Sequence, residues 1–142
     1  MAELGDVRRE VVAAPLAGSE LGGPSDDFVI VEWSDSGRGE WEWIAPLHVH
    51  HADDEAWYVL EGRLAFRLGD EELQAPAGTA VFGLRGLAHT YWNPDARPAR
   101  YLLVMRPRTM RLIDALHDGT RRDREALRAL FAAHAVELLD EV

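Results

Sequence analysis

The segment HVHHADDEAWYVLEGRLAFRLGD, residues 48–70, decides how this chain folds. Its second half contains two short stretches, Glu55 to Glu61 and Arg63 to Leu68, which are separated by the turn residue Gly62. The second stretch, RLAFRL, alternates apolar and mostly polar side chains, and this is typical of a strand with one face in water. The segment therefore predicts two consecutive β-strands that follow a histidine-rich corner.

The rest of the chain repeats this pattern of short strands separated by turn residues. Strands are expected at residues 28–33, 41–51, 72–75, 79–83, 88–93 and 100–106. Seven or eight strands at this spacing favour an all-β, antiparallel sandwich or barrel. We expect the barrel to span residues 27–108, after an N-terminal arm over residues 1–26 that is rich in Gly, Ala, Pro and Ser.

A C-terminal extension, residues 109–142, changes to a helical period. A short helix over residues 110–116 is expected to end at Gly119, and Thr120 with Asp123 resembles the capping box of a second helix. The apolar stripe of that second helix comprises Ala126, Leu127, Leu130, Phe131, Ala135 and Leu138. We expect this helical tail to pack on the barrel or on a partner chain.

Composition excludes several classes of function. The 142 residues carry 25 acidic and 15 basic side chains, so the net charge of −10 disfavours nucleic acid as a partner. The chain has no cysteine, and all of its basic residues are arginine, which excludes thiolate nucleophiles and Schiff-base chemistry. No apolar run is long enough to span a membrane and the first residues are too polar for a secretory signal, so we expect a cytoplasmic protein that does not bind membranes.

The histidine-rich corner carries the candidate metal ligands. His48 and His50 are two residues apart on an extended segment, so their imidazoles share one face. Glu55 begins the next strand after a tight corner, and His89 can approach from another strand if the sheet curls into a small barrel. Three imidazoles and one carboxylate suit Fe, Mn, Ni, Co, Cu or Zn, and do not suit Ca or Mg. We therefore expect one divalent transition metal per chain.

The histidine pair by itself is weak evidence, because random placement of 6 histidines gives roughly 0.25 His-x-His pairs in a chain of this length. The whole pattern is more specific. The spacing His48-x-His50-x4-Glu55-x6-Gly62 resembles the first motif of the cupins. A second cupin-like motif reads Gly78-x5-Leu84-x-Gly86-x2-His89-x3-Asn93.

Two positions depart from the cupin motifs: Glu42 replaces a glycine of the first motif, and Leu84 replaces a proline of the second. Both positions shape turns and do not bind metal. The motif-bearing match covers about residues 46–106, and the chain also looks like single-domain cupins related to quercetin dioxygenases. The resemblance implies a jelly-roll barrel in which His48, His50, Glu55 and His89 bind a metal. It also implies a homodimer, for which residues 27–33 are the candidate exchanged strand.

The sequence also suggests roles for other side chains near the motif and for the remaining histidines. Trp57 shares the face of Glu55 and Tyr91 shares the face of His89, so these two and Phe66 are candidate walls of a substrate pocket or members of a plain barrel core. His51 alternates to the opposite face and is expected outside the site, and His117 and His134 are expected to be structural or exposed. Asp53 and Asp54 are expected to form a solvated corner, although either could hold the second ring nitrogen of a ligand.

Four protein ligands on an octahedral-type metal leave two positions for water, O₂ or substrate. The first hypothesis is a dioxygenase-type oxidoreductase acting on a small aromatic or enolic substrate, with Glu55 as both ligand and catalytic base. A zinc-dependent isomerase or a polyketide-cyclase-like enzyme is the second. A non-catalytic module that binds a small molecule is the third, because a fold and a metal do not imply turnover.

Overall fold

The structure, a computed structural model, describes residues 11–37 and 43–139. Ten strands and two helices are present in these ranges. The strands are β1 (Glu20–Leu21), β2 (Val29–Asp35), β3 (Trp43–His50), β4 (Glu55–Glu61), β5 (Arg63–Leu68), β6 (Glu71–Pro76), β7 (Ala80–Gly83), β8 (His89–Trp92), β9 (Ala99–Met105) and β10 (Val136–Leu138). The helices α1 (Pro107–Leu116) and α2 (Arg124–Ala132) lie between β9 and β10.

The strands form two five-stranded antiparallel sheets. One sheet has the order β1-β2-β9-β4-β7, and the other has the order β10-β3-β8-β5-β6. Their inner faces enclose a core around fully buried side chains such as Trp57, Val59, Leu64 and Phe66. This architecture is a jelly roll, and it confirms the all-β, antiparallel barrel that the strand spacing predicted.

The C-terminal extension differs from the expected helical tail in three places. Helix α1 begins at Pro107, which occupies its first turn, so it starts before the expected position. Helix α2 is capped by the Asp123 side chain, which accepts a 2.8 Å hydrogen bond from the Ala126 amide, and not by Thr120. The apolar stripe does not stay helical to Leu138, because Ala135 adopts a φ of 61° and the chain then enters β10.

Strand β10 extends the barrel itself. Its residues pair with β3, with Val136 opposite His50 and Leu138 opposite His48. The apolar side chains of α2 and β10 form a second small core with Leu112 of α1. The extension therefore packs on the barrel of its own chain, against the strand that carries two of the candidate ligands.

The N-terminal arm contributes β1, which pairs with β2. The candidate exchange segment lies largely in β2, which pairs over its full length with β9 of the same chain. Residues 1–10 of the arm and the motif position Glu42 lie outside the described residues. Neither helix in the described part of the chain has the length and apolar character that a membrane crossing requires.

Candidate metal centre

The two sheets bring the four candidate ligands to one place. His48 and His50 lie on β3, and His89 lies on the neighbouring strand β8, directly opposite His48. Glu55 begins β4 in the other sheet, so the imidazoles and the carboxylate meet between the sheets. All four side chains are buried and offer donor atoms within 4.8 Å of one another. They form a group that could hold one metal ion.

A register shift in β3 helps to orient the first imidazole. Between Ala45 and His48 the strand β3 advances by one residue more than β8 does, and Pro46 lies in this irregular step. A proline has no amide hydrogen to give to the neighbouring strand, so it is tolerated in an irregular step where the regular ladder is interrupted. Its carbonyl oxygen accepts a 2.5 Å hydrogen bond from Nδ1 of His48, which leaves Nε2 as the unprotonated nitrogen of the neutral ring.

The donor atoms have the spacing of ligands around a single ion. Nε2 of His48 lies 3.1 Å from Nε2 of His50, which lies 3.2 Å from Oε1 of Glu55. Nε2 of His89 lies 2.7 Å from the same oxygen without the alignment of a hydrogen bond, so it has no hydrogen-bond partner in the described residues. Adjacent ligands at right angles around an ion, with bonds of about 2.1 Å, lie about 3.0 Å apart. The spacing, the orphaned nitrogen and the mixed N/O donor set all fit a transition metal.

The protonation states also suit metal binding. Burial, reinforced by the neighbouring His89 and His50 rings, lowers the pKa of His48 to about 3, so this imidazole is neutral near pH 7. Burial favours the neutral acid of Glu55, but the nearby His50 and His89 rings outweigh burial and lower the pKa of this carboxyl. A neutral imidazole and an ionised carboxylate are the forms that bind a cation.

Gly83 is a supporting residue that the sequence reasoning missed. It lies on β7 opposite Glu55, and a Cβ placed on it would approach the Trp57 ring to 2.8 Å and Cγ of Glu55 to 3.1 Å. Only a glycine therefore leaves Trp57 and Glu55 in their observed positions. A glycine inside a strand is a known sign of close approach by a neighbouring group, so the sequence did contain a signal.

The expectation that Asp53 lies in a solvated corner is wrong. Its carboxylate is buried and accepts two hydrogen bonds of 2.9 Å from the Arg108 guanidinium of α1. These hydrogen bonds lower the pKa of Asp53, and burial opposes them only in part. Asp53 therefore connects the corner between His50 and Glu55 to the start of α1. Asp54 does not bind a ligand ring either, because its side chain accepts from the Arg85 amide.

A cavity of about 520 Å³ opens beside the four ligands. Of the three aromatic residues predicted to form its walls, Trp57 and Tyr91 line it. Phe66 is fully buried behind them and is not part of the lining; its ring stacks on Tyr91 at a centroid distance of 5.5 Å. The remaining walls include residues that the sequence did not indicate, among them Trp33, Thr109, Met110, Ile113 and Phe131.

The other histidines lie outside the ligand group. His51 is exposed, and its Nε2 is 3.0 Å from Glu137 of β10. His134 is held by the Leu130 carbonyl at 2.8 Å. His117 bonds to the carbonyl of Ile113 and reaches the edge of the cavity at the end of α1.

Comparisons with known proteins agree with the fold. Residues 40–105 match the family model of the cupin domain. A solved structure from Thermus thermophilus is 30% identical, covers 58% of this chain and 75% of its own, and has a TM-score of 0.51. A Klebsiella pneumoniae protein with a double-stranded β-helix domain is 21% identical, covers 70% of this chain and 91% of its own, and has a TM-score of 0.54.

A sugar phosphate isomerase from Silicibacter pomeroyi is 22% identical to this chain, with a TM-score of 0.51, and the alignment covers 57% of this chain. The chain spans about half of that protein's length, because the alignment covers 51% of it. No curated protein matches the chain.

Proposed function

The chain belongs to the cupin superfamily, and from this premise we propose that it is a metal-dependent oxidoreductase of the dioxygenase type. The observation that carries the proposal is a buried group of three imidazoles and one carboxylate beside a cavity with aromatic walls. The substrate we propose is a small aromatic or enolic molecule with a hydroxyl group that can reach the metal.

The aromatic walls supply the binding surface for a flat substrate. Trp57 and Tyr91 pack edge to face at a centroid distance of 5.5 Å, and both face the cavity. The hydroxyls of Tyr91 and Tyr101 hydrogen-bond to each other at 3.0 Å. Burial raises the pKa of Tyr101 to about 12 and that of Tyr91 well above its ordinary value, so both phenols stay protonated. They bind and orient, and they do not act as bases.

Glu55 is the group placed to accept a proton. It is the only carboxylate among the buried ligands, and it is ionised near neutral pH because of the rings beside it. Because the same rings lower the pKa of Glu55, this carboxylate is a weak base, so the proton it accepts is that of an acidic enol or phenol, whose deprotonated oxygen is a better ligand. When bound, the metal supplies Lewis acidity and, if it is redox-active, the electron transfer that reaction with O₂ requires.

Oxygen uptake tests the proposal. We expect the iron-, copper- or nickel-loaded protein to consume O₂ with at least one of a panel of flavonols, catechols and enolic diketones. The matched control uses adjacent residues: His50→Ala removes a ligand and should abolish uptake, whereas His51→Ala changes an exposed side chain and should not. Product formed without O₂ consumption would replace this proposal with an isomerase or cyclase. Ligand affinity that is unchanged after chelation, with no turnover, would indicate a binding module.

We also propose that the protein is a homodimer. On the outer face of the first sheet, Phe82, Ala56, Val104 and Ile30 are register partners on four adjacent strands, so they form one apolar row. Phe82 is 57% exposed, and a second copy would cover this row. Sedimentation velocity should give a dimer for the wild type and a monomer for Phe82→Glu, and a monomeric wild type would refute this part.

A further inference from the structure

The side of the cavity formed by α1 holds a polar group without a partner. Thr109 is 3% exposed and is one of the residues that line the cavity, and its buried hydroxyl has no hydrogen-bond partner in the described residues. A buried hydroxyl normally finds a partner, and leaving it without one costs stability. Such a group on a cavity wall is expected where a ligand completes the hydrogen bond.

The neighbouring ion pair holds the start of α1, the helix that carries this hydroxyl. Arg108, the residue before Thr109, makes two hydrogen bonds to the buried carboxylate of Asp53. Asp53 lies in the corner that joins His50 to Glu55, so the same short segment sets both the metal ligands and the start of α1. Met110 and Ile113 then continue the apolar wall along the helix.

The charge of the cavity excludes one class of ligand. No arginine is among the described residues that line it, and the chain has no lysine. Asp114 lies on the cavity wall, where its carboxylate adds negative charge. A phosphate ester would meet no arginine or lysine among the described lining residues, and the Asp114 carboxylate would repel it.

We propose that α1 is the specificity element of this site, and that it selects an uncharged aromatic ligand with a polar substituent that hydrogen-bonds to Thr109. This inference rests on the proposed function for the location of the pocket, but it does not require oxygen chemistry. It assigns specificity to residues outside the segment that matches the cupin domain, since α1 begins after residue 105.

Calorimetric titration of the metal-free protein with naphthalene probes tests the inference. The probes are naphthalene, 2-naphthol, the naphthalenediol isomers and 1-naphthyl phosphate. Thr109→Val keeps the shape of the side chain and removes the hydroxyl. We expect this variant to bind at least one diol roughly three- to tenfold more weakly, with no comparable loss for naphthalene itself. Thr109→Ser, which keeps the hydroxyl, should retain the affinity for that diol. The phosphate ester should bind more weakly than 2-naphthol to all three proteins.

The melting temperature of the ligand-free protein supplies a second readout. Because Thr109→Val removes an unpartnered buried hydroxyl, its melting temperature should equal or exceed that of the wild type. A purely structural role for the hydroxyl predicts the opposite shift, so a lower melting temperature with unchanged probe affinities would overturn the inference. Tight binding of 1-naphthyl phosphate would overturn the ligand class. If no member of the substrate panel gives O₂ uptake, but probe binding still depends on the Thr109 hydroxyl, the oxidoreductase proposal is refuted and this inference is supported.

Discussion

Replacement of Gly83 by alanine tests how the barrel holds Glu55. The new Cβ would lie 2.8 Å from Cζ3 and 3.0 Å from Cη2 of Trp57, and 3.1 Å from Cγ of Glu55. Ordinary carbon–carbon contact begins at about 3.5 Å, so roughly 0.7 Å of movement is needed at the closest atom. Trp57 is 1% exposed and has little room to retreat. Either the ring or the Glu55 side chain must therefore shift.

The energetic cost follows from two opposing effects. Overpacking of a dense core destabilises the folded state by about 1–3 kcal/mol. Replacing glycine also reduces the conformational entropy of the unfolded chain, which favours the folded state by about 0.4–1 kcal/mol. We expect a net loss of about 1–2 kcal/mol in the free energy of unfolding. Because the enclosed Trp57 ring leaves part of the shift to Glu55, we also expect metal affinity to fall by about 10- to 100-fold, the range seen when groups that support ligands are mutated.

Gly78→Ala is the matched control for this prediction. Gly78 has a φ of 89°, and no atom of the surrounding residues lies within 4 Å of the place that a Cβ would occupy. Alanine there therefore causes backbone strain of about 1–2 kcal/mol without touching the ligands. Competition with a fluorescent chelator for Ni²⁺ or Co²⁺ measures affinity in the wild type and both variants. If Gly83→Ala loses no more affinity than Gly78→Ala, then contact with Gly83 does not position Glu55.

Two further substitutions test the attachment of the C-terminal extension. Asp53→Asn should lower the free energy of unfolding by about 1–2 kcal/mol near pH 7, a value reduced because the Arg108 side chain is 40% exposed. Since the folded-state pKa of Asp53 lies below its ordinary value of 3.8, the stabilisation is present above that pH and is lost as the pH falls through the folded-state pKa. Denaturation curves should therefore show the difference between the two proteins shrinking as the pH falls below 3.8. Asp123→Ala should lower the free energy of unfolding by about 1 kcal/mol because it removes the N-cap of α2. Thr120→Ala should lower it by less than about 0.5 kcal/mol. Equal losses in the two variants would contradict the assigned cap.

The ligand group could be predicted because its information is local in the sequence. The alternation of a strand places His48 and His50 on one face, and the tight corner returns Glu55 beside them. His89 is distant in sequence, but the motif around it resembles the cupin pattern, and the register of β3 against β8 places it opposite His48. Spacing and residue type were therefore sufficient for His48, His50 and Glu55, and the resemblance to the cupin motifs added His89.

The walls of the cavity could not be predicted in the same way. The pair between Asp53 and Arg108 joins residues that are 55 positions apart, and no periodic pattern connects them. The role of Thr109 depends on where α1 packs, which is decided by contacts with the barrel rather than by the helix itself. Residues 136–138 continued a helical stripe in the sequence, but pairing with β3 and the left-handed conformation of Ala135 make them a strand.

Metal content per chain is the most direct measurement of the central claim, that His48, His50, Glu55 and His89 hold one metal ion. Two variants at adjacent positions give the comparison: His50→Ala removes a buried ligand, and His51→Ala removes an exposed ring that contacts Glu137. Elemental analysis after purification and equilibration with a transition-metal salt should give about one ion per chain for the wild type and for His51→Ala, and well below that for His50→Ala. Equal metal content in the two variants, or a wild type that binds none, would contradict the account.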